Sequence, residues 1–150
     1  MLIRHTLVLG LSYHNSSSDM RDKARFPAER QEAWTKFLLE ELGICEVLLL
    51  PTCNRVEAYV TVEESKSLDE WVELLQREWA KLVQIEYTDF KKVLFVFKHG
   101  EAVNHLYRVV CSLESLVLGE GQILGQVKDA YNVAIKYRTV GLQLHQLFQR

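Results

Sequence analysis

The chain predicts an α+β fold: a ferredoxin-like split βαβ sheet in the order β-α-β-β-α-β, with two or more additional C-terminal helices. Three observations carry this reading. Two apolar runs, Ile44 to Leu50 and Val56 to Val62, flank a short polar hinge at residues 52–55, as in a hairpin. Two stretches of helical spacing, one before and one after that hairpin, are themselves bounded by strand-like segments. The last third of the chain keeps helical spacing almost throughout.

In order, Thr6 to Ser12 reads as a buried first strand that runs into a serine-rich polar loop from Tyr13 to Arg25. Pro27 suits a first helical turn, and Ala33, Trp34, Phe37, Leu38 and Leu42 continue it until Gly43 stops it. After the hairpin, Leu68, Trp71, Val72, Leu75, Trp79 and Leu82 mark the buried face of a second helix. Lys92 to Phe97 reads as the fourth strand, and the two helices are expected on one face of the sheet. Val103, Leu106, Val110, Leu113 and Val117 then form an apolar stripe, and a further helix starts near Gln122. Leu142, Leu144, Leu147 and Phe148 remain apolar with few sequence partners, so this end is expected to dock on something beyond residue 150.

At 150 residues the chain fits one domain, 1–150. A domain of this size buries roughly 70% of its unfolded surface, so it needs no staple. A net charge of -2 provides no global footprint for nucleic acid. A basic leader and a long uncharged apolar run are both lacking, so no membrane role and a cytoplasmic location are expected. Three cysteines (Cys45, Cys53, Cys111) without CxxC spacing argue against a disulfide framework or a metal site.

The hinge Thr52-Cys53-Asn54-Arg55 is the most informative segment. It puts a sulfur at a strand end and a permanent charge two residues on. That charge either favours a thiolate or clamps a carboxylate; the bland alternative is a turn with a solvated arginine. His105 sits on the third helix with Ser112 two turns later on the same face and Ser115 within reach. By position alone the bland reading is favoured: a surface or half-buried histidine satisfied by a backbone carbonyl. Gly119 to Gly125 is not a dinucleotide fingerprint: its glycine spacing is one residue too long, and a helix precedes it. Capping and dipole effects account for Glu120 and Gln122 at a helix start.

Three stretches together resemble the N-terminal catalytic domain of glutamyl-tRNA reductase. They are Thr52-Cys53-Asn54-Arg55 with Glu57, His105-Leu106-Tyr107-Arg108-Val109, and the run from Ser115 to Lys128. Departures from the family pattern fall at Ser12 to Ser17, Pro51, Val56, Cys111-Ser112 and Gly121. The resemblance implies that a thiolate at Cys53 takes the glutamyl group from glutamyl-tRNA(Glu) as a thioester. NADPH then reduces it to glutamate-1-semialdehyde in tetrapyrrole biosynthesis. It implies Cys53 and His105 as catalytic residues, and Thr52, Arg55, Ser115, Glu120 and Gln122 as substrate-binding. It also implies a nicotinamide domain and a dimerisation domain outside this chain, with no cofactor bound by the chain itself. The competing expectation is a ferredoxin-like regulatory or binding module without cysteine chemistry. An RNA-recognition module is less suited, lacking the basic glycine-aromatic run of such sheets.

Overall fold

In the computed structural model the described residues are 4–52, 54–110 and 122–148, with the side chains of 122–124 outside the description. Four strands, β1 (Arg4–Ser12), β2 (Glu46–Pro51), β3 (Arg55–Glu63) and β4 (Phe95–Lys98), form one sheet in the order β2-β3-β1-β4. Every neighbouring pair among them is antiparallel. This is the split-βαβ order expected from the sequence, with the β2–β3 hairpin placing β3 beside β1.

Among the described residues the α-helices are α1 (Ser18–Ala24), α2 (Gln31–Glu40), α3 (Leu68–Val83), α4 (Tyr87–Val93), α5 (Gly100–Val110), α6 (Gln122–Lys136) and α7 (Leu142–Phe148). Their ends follow local chemistry. Ser67 and Glu70 form a reciprocal capping box at the start of α3. Gly43 takes φ +80°, the left-handed conformation that ends the α2 segment at little steric cost.

Because side chains alternate across a strand, the sheet has two buried faces. Leu7, Leu9 and Leu11 with Val56, Ala58, Val60 and Val62 pack against Trp34 and Leu38 of α2 and Trp71, Leu75 and Trp79 of α3. The two helices thus share one face, as expected. The opposite set, Val8, Leu48, Leu50 and Tyr59, packs under α5, α6 and α7 through Leu106, Val109, Val127, Ala134 and Leu144. The molecule is therefore three layers deep.

Three local readings are corrected. The polar stretch from Tyr13 to Arg25 contains α1, whose start is capped by the Ser17 hydroxyl accepting the Met20 N–H; its serines are capping chemistry as much as loop chemistry. Lys92 and Val93 close α4, and the fourth strand begins at Phe95. The apolar C-terminal residues find a partner within the chain: Leu144 is fully buried, and Leu147 and Phe148 pack on the same cluster, although Leu142 is 70% exposed. Their partner is the sheet's second face, which the period-two pattern of β3 disguised as a solvent face.

Candidate active site

On that second face β3 presents Arg55, Glu57, Tyr59 and Thr61 in succession, and all four are buried. Polar residues at alternate strand positions ordinarily face water; here α5, α6 and α7 cover them, so they must satisfy one another. Arg55 Nη1 donates to Glu57 Oε2 at 3.0 Å. The Tyr59 hydroxyl donates to Glu57 Oε1 at 2.9 Å. His105 Nε2, on α5, reaches Glu57 Oε2 at 2.5 Å. Glu57 is thus the hub of a buried array that joins the base of the hairpin to the helical histidine.

Burial alone would raise the Glu57 carboxyl. The hydrogen bond and charge of His105, the charge of Arg55 and the Tyr59 hydroxyl outweigh it and hold the group below its ordinary value of 4.5. Burial, reinforced by the Glu57 charge, pushes Tyr59 well above its ordinary value of 10.0. An ionised Glu57 accepts only, so Nε2 of His105 carries the hydrogen of this contact.

Gly10 makes this arrangement possible. In the sheet register it sits between Glu57 on β3 and Phe95 on β4. A Cβ there would lie 2.7 Å from the Val56 carbonyl oxygen, 2.9 Å from Glu57 Cγ and 3.0 Å from the Phe95 ring. The missing side chain is the space Glu57 occupies. The His105 ring rests against both Phe95 and Phe97, with centroids at 5.0 and 4.9 Å.

Thr52, Asn54 and Arg55, at the ends of the hairpin strands, are held from several sides. The Thr52 hydroxyl accepts from Arg55 N at 3.1 Å and donates to Arg55 O at 3.2 Å, while Thr52 N donates to the same carbonyl at 2.7 Å. Arg25, the residue that ends α1, donates to the Thr52 carbonyl at 3.0 Å, and Tyr13 N donates to the Asn54 carbonyl at 3.1 Å. The first loop is ordered by its own side chains, since Asn15 Oδ1 accepts from Ser12 N at 2.9 Å and Ser16 Oγ donates to Ser12 O at 2.6 Å.

Beside His105 opens a cleft of about 480 Å³. Ser12, His14 and Asn15 form one wall, Phe95 and Phe97 the floor, and Glu101, Asn104 and Arg108 of α5 the other wall.

Of the residues singled out in the sequence, Arg55 and His105 converge on Glu57, and Thr52 closes the turn between them and the tip. Arg55 differs from expectation: it is only 1% exposed and is paired within the protein, because a charge this deep requires a counter-charge. Cys53, Ser115, Glu120 and the Gln122 side chain lie outside the description. Cys45 is the thiol that is described, and burial raises it, against the charge of Arg4. Sequence reading noted Glu57 only as part of a motif. Its signal was present: Arg-x-Glu in a strand puts opposite charges on one face, flanked by apolar residues on the other. No group of His, Cys, Asp and Glu among the described residues has metal-holding geometry, and no helix among them is long and apolar enough to cross a membrane.

An antiparallel split-βαβ sheet with helices on both faces, and a buried Arg–Glu–His array between its β3 and α5, defines an α+β domain of the ferredoxin-like class. Residues 9–150 match the family described as Glutamyl-tRNAGlu reductase, N-terminal domain, and the chain belongs to that family. It is 38% identical over 149 residues to a glutamyl-tRNA reductase of Thermodesulfovibrio yellowstonii, covering 96% of this chain and 34% of that protein. It is 41% identical over 142 residues to that of Dichelobacter nodosus, covering 95% and 32%. Among solved structures, glutamyl-tRNA reductase from Methanopyrus kandleri superposes with a TM-score of 0.74 at 30% identity, covering 96% of this chain and 31% of that one. The chain spans about a third of the length of the relatives it matches.

Proposed function

We propose that this chain is the acyl-accepting part of an NADPH-dependent glutamyl-tRNA reductase, acting in the cytoplasm on glutamyl-tRNA(Glu). The Cys53 thiolate attacks the ester carbonyl that joins glutamate to the terminal ribose. A carbon–sulfur bond forms, the carbon–oxygen bond breaks, and the ribose oxygen leaves as a hydroxyl once protonated. Sulfur suits this step, being strongly nucleophilic and leaving a thioester that accepts hydride more readily than an ester.

The observation that carries the reading is the Glu57–His105 contact at 2.5 Å beneath the hairpin. A carboxylate that fixes the tautomer of a histidine next to a nucleophile is the base-and-orienter logic of acyl transfer. With Nε2 committed to Glu57, Nδ1 takes the thiol proton and returns it to the ribose oxygen. Thr52 holds the turn. Arg55, oriented by Glu57, selects the glutamyl carboxylate, and the side chains of Ser115, Glu120 and Gln122 belong to the same substrate pocket.

Reduction of the thioester to glutamate-1-semialdehyde would draw its hydride from NADPH. Among the described residues the sheet is wholly antiparallel, with no βαβ unit to cradle a dinucleotide, so the nicotinamide group does not fit them and is held by another part of the full-length protein. A homodimer forms through a further part outside these residues.

Competitive alkylation tests the reading. With iodoacetamide near neutral pH, Cys53 should label faster than Cys45 and Cys111, and His105→Ala should slow Cys53 alone. Equal labelling of the three thiols would favour a binding module without cysteine chemistry.

A further inference from the structure

We infer that the cleft beside His105 seats the terminal adenosine of the aminoacyl-tRNA, an inference that rests on the acyl-transfer reading above. The argument starts from connectivity. In an aminoacyl ester the reacting carbonyl is one oxygen away from the terminal ribose. Wherever that carbonyl meets His105, the nucleoside is bonded beside it, and the described cavity that borders His105 is this cleft. Its volume of about 480 Å³ is generous for a glutamyl side chain alone. It falls within the roughly 300–1,000 Å³ of pockets that hold a drug-sized ligand, the class to which a mononucleotide belongs.

The lining fits a purine. Phe95 and Phe97 supply an aromatic floor, the surface on which unpaired bases stack. Glu101, Asn104, His105 and Arg108 fall at i, i+3, i+4 and i+7 of α5, a single stripe facing the first loop. Asn104 is exposed on that stripe, and a carboxamide there pairs with both the N6 amine and N7 of adenine. Guanine offers two acceptors at the same edge and leaves the carboxamide oxygen facing another oxygen. Glu101 offers an acceptor to ribose hydroxyls, and Arg108 brings positive charge to the phosphate side.

Equilibrium dialysis of the full chain with 5′-AMP, 5′-GMP and 5′-UMP tests this. The wild type should retain AMP about fivefold or more better than GMP or UMP. Asn104→Leu, at an exposed position that leaves the circular dichroism spectrum unchanged, should erase the preference for AMP over GMP. Equal retention of the three nucleotides, or a preference that survives Asn104→Leu, would overturn the inference. Intact mass after incubation with glutamyl-tRNA separates the two levels. A glutamyl adduct on Cys53 without AMP preference sinks the adenosine site and leaves the proposed function standing. AMP preference without any adduct overturns the proposed function, and with it the tRNA end as occupant.

Discussion

Glu57 and His105, 48 positions apart in sequence, meet at 2.5 Å between the sheet and α5, where both are buried. That contact joins the central strand of the hairpin to the helical layer, and it makes one carboxylate answer for three partners. Removing it should therefore be costly. Glu57→Gln leaves Arg55 buried without a counter-charge and should lower stability by about 3–5 kcal/mol in urea unfolding. Arg55→Met combined with Glu57→Gln should be less destabilised than Glu57→Gln alone, because Arg55 no longer leaves a lone charge. Additive losses in that double-mutant cycle would contradict the hub.

The same carboxylate sets a pH dependence. Glu57 is more acidic in the fold than its ordinary value of 4.5, so its contribution is complete above about that pH. It is lost as the pH falls through the lower folded value. Urea midpoints measured between pH 7 and 3 should drop more steeply for the wild type than for Glu57→Gln. Parallel curves would show that the fold does not favour the ionised form.

Gly10 offers a purely steric test. Its Cβ would meet a carbonyl oxygen of β3 at 2.7 Å, which backbone cannot relieve cheaply. Gly10→Ala should cost about 1–3 kcal/mol and displace Glu57, so that stability and Cys53 alkylation fall together. An unchanged melting temperature would mean that the row Glu57–Gly10–Phe95 has slack.

A second buried carboxylate secures the C-terminal layer. Glu46 Oε1 accepts from Gly141 N at 2.5 Å and Leu144 N at 3.1 Å, the N-cap and third-residue amides of α7, while Oε2 accepts from Thr61 Oγ1 at 2.7 Å. Glu46→Ala should cost about 1.5–3 kcal/mol. Amide exchange should quicken at Leu144 to Phe148 while the β1–β3 amides stay protected. Uniform loss across the sheet would instead make Glu46 part of the global core.

How far the residues disclose this design depends on where the partner lies. Strand order, the hairpin and the shared face of α2 and α3 were legible because each is written in local periodicity: Trp71, Leu75 and Trp79 mark a helix face regardless of what covers it. The second covered face was not. Glu57, Tyr59 and Thr61 alternate with apolar residues just as a solvent-facing strand does, and only α5 to α7, supplied by the last third of the chain, show that they are enclosed. The Glu46 clamp is hidden for the same reason, since its partners lie 95 and 98 positions away. Arg55 and His105 were singled out as site residues through the resemblance alone. That both answer to Glu57 emerges only when β3 and α5 are brought together.

The most direct measurement of the central claim is intact mass of the protein after incubation with charged glutamyl-tRNA, comparing wild type with Cys53→Ser. The account predicts a single glutamyl adduct on Cys53, sensitive to hydroxylamine as a thioester is, and its loss in the serine variant. A wild type that stays unmodified, or a Cys53→Ser protein that still carries the same hydroxylamine-sensitive adduct, would contradict it.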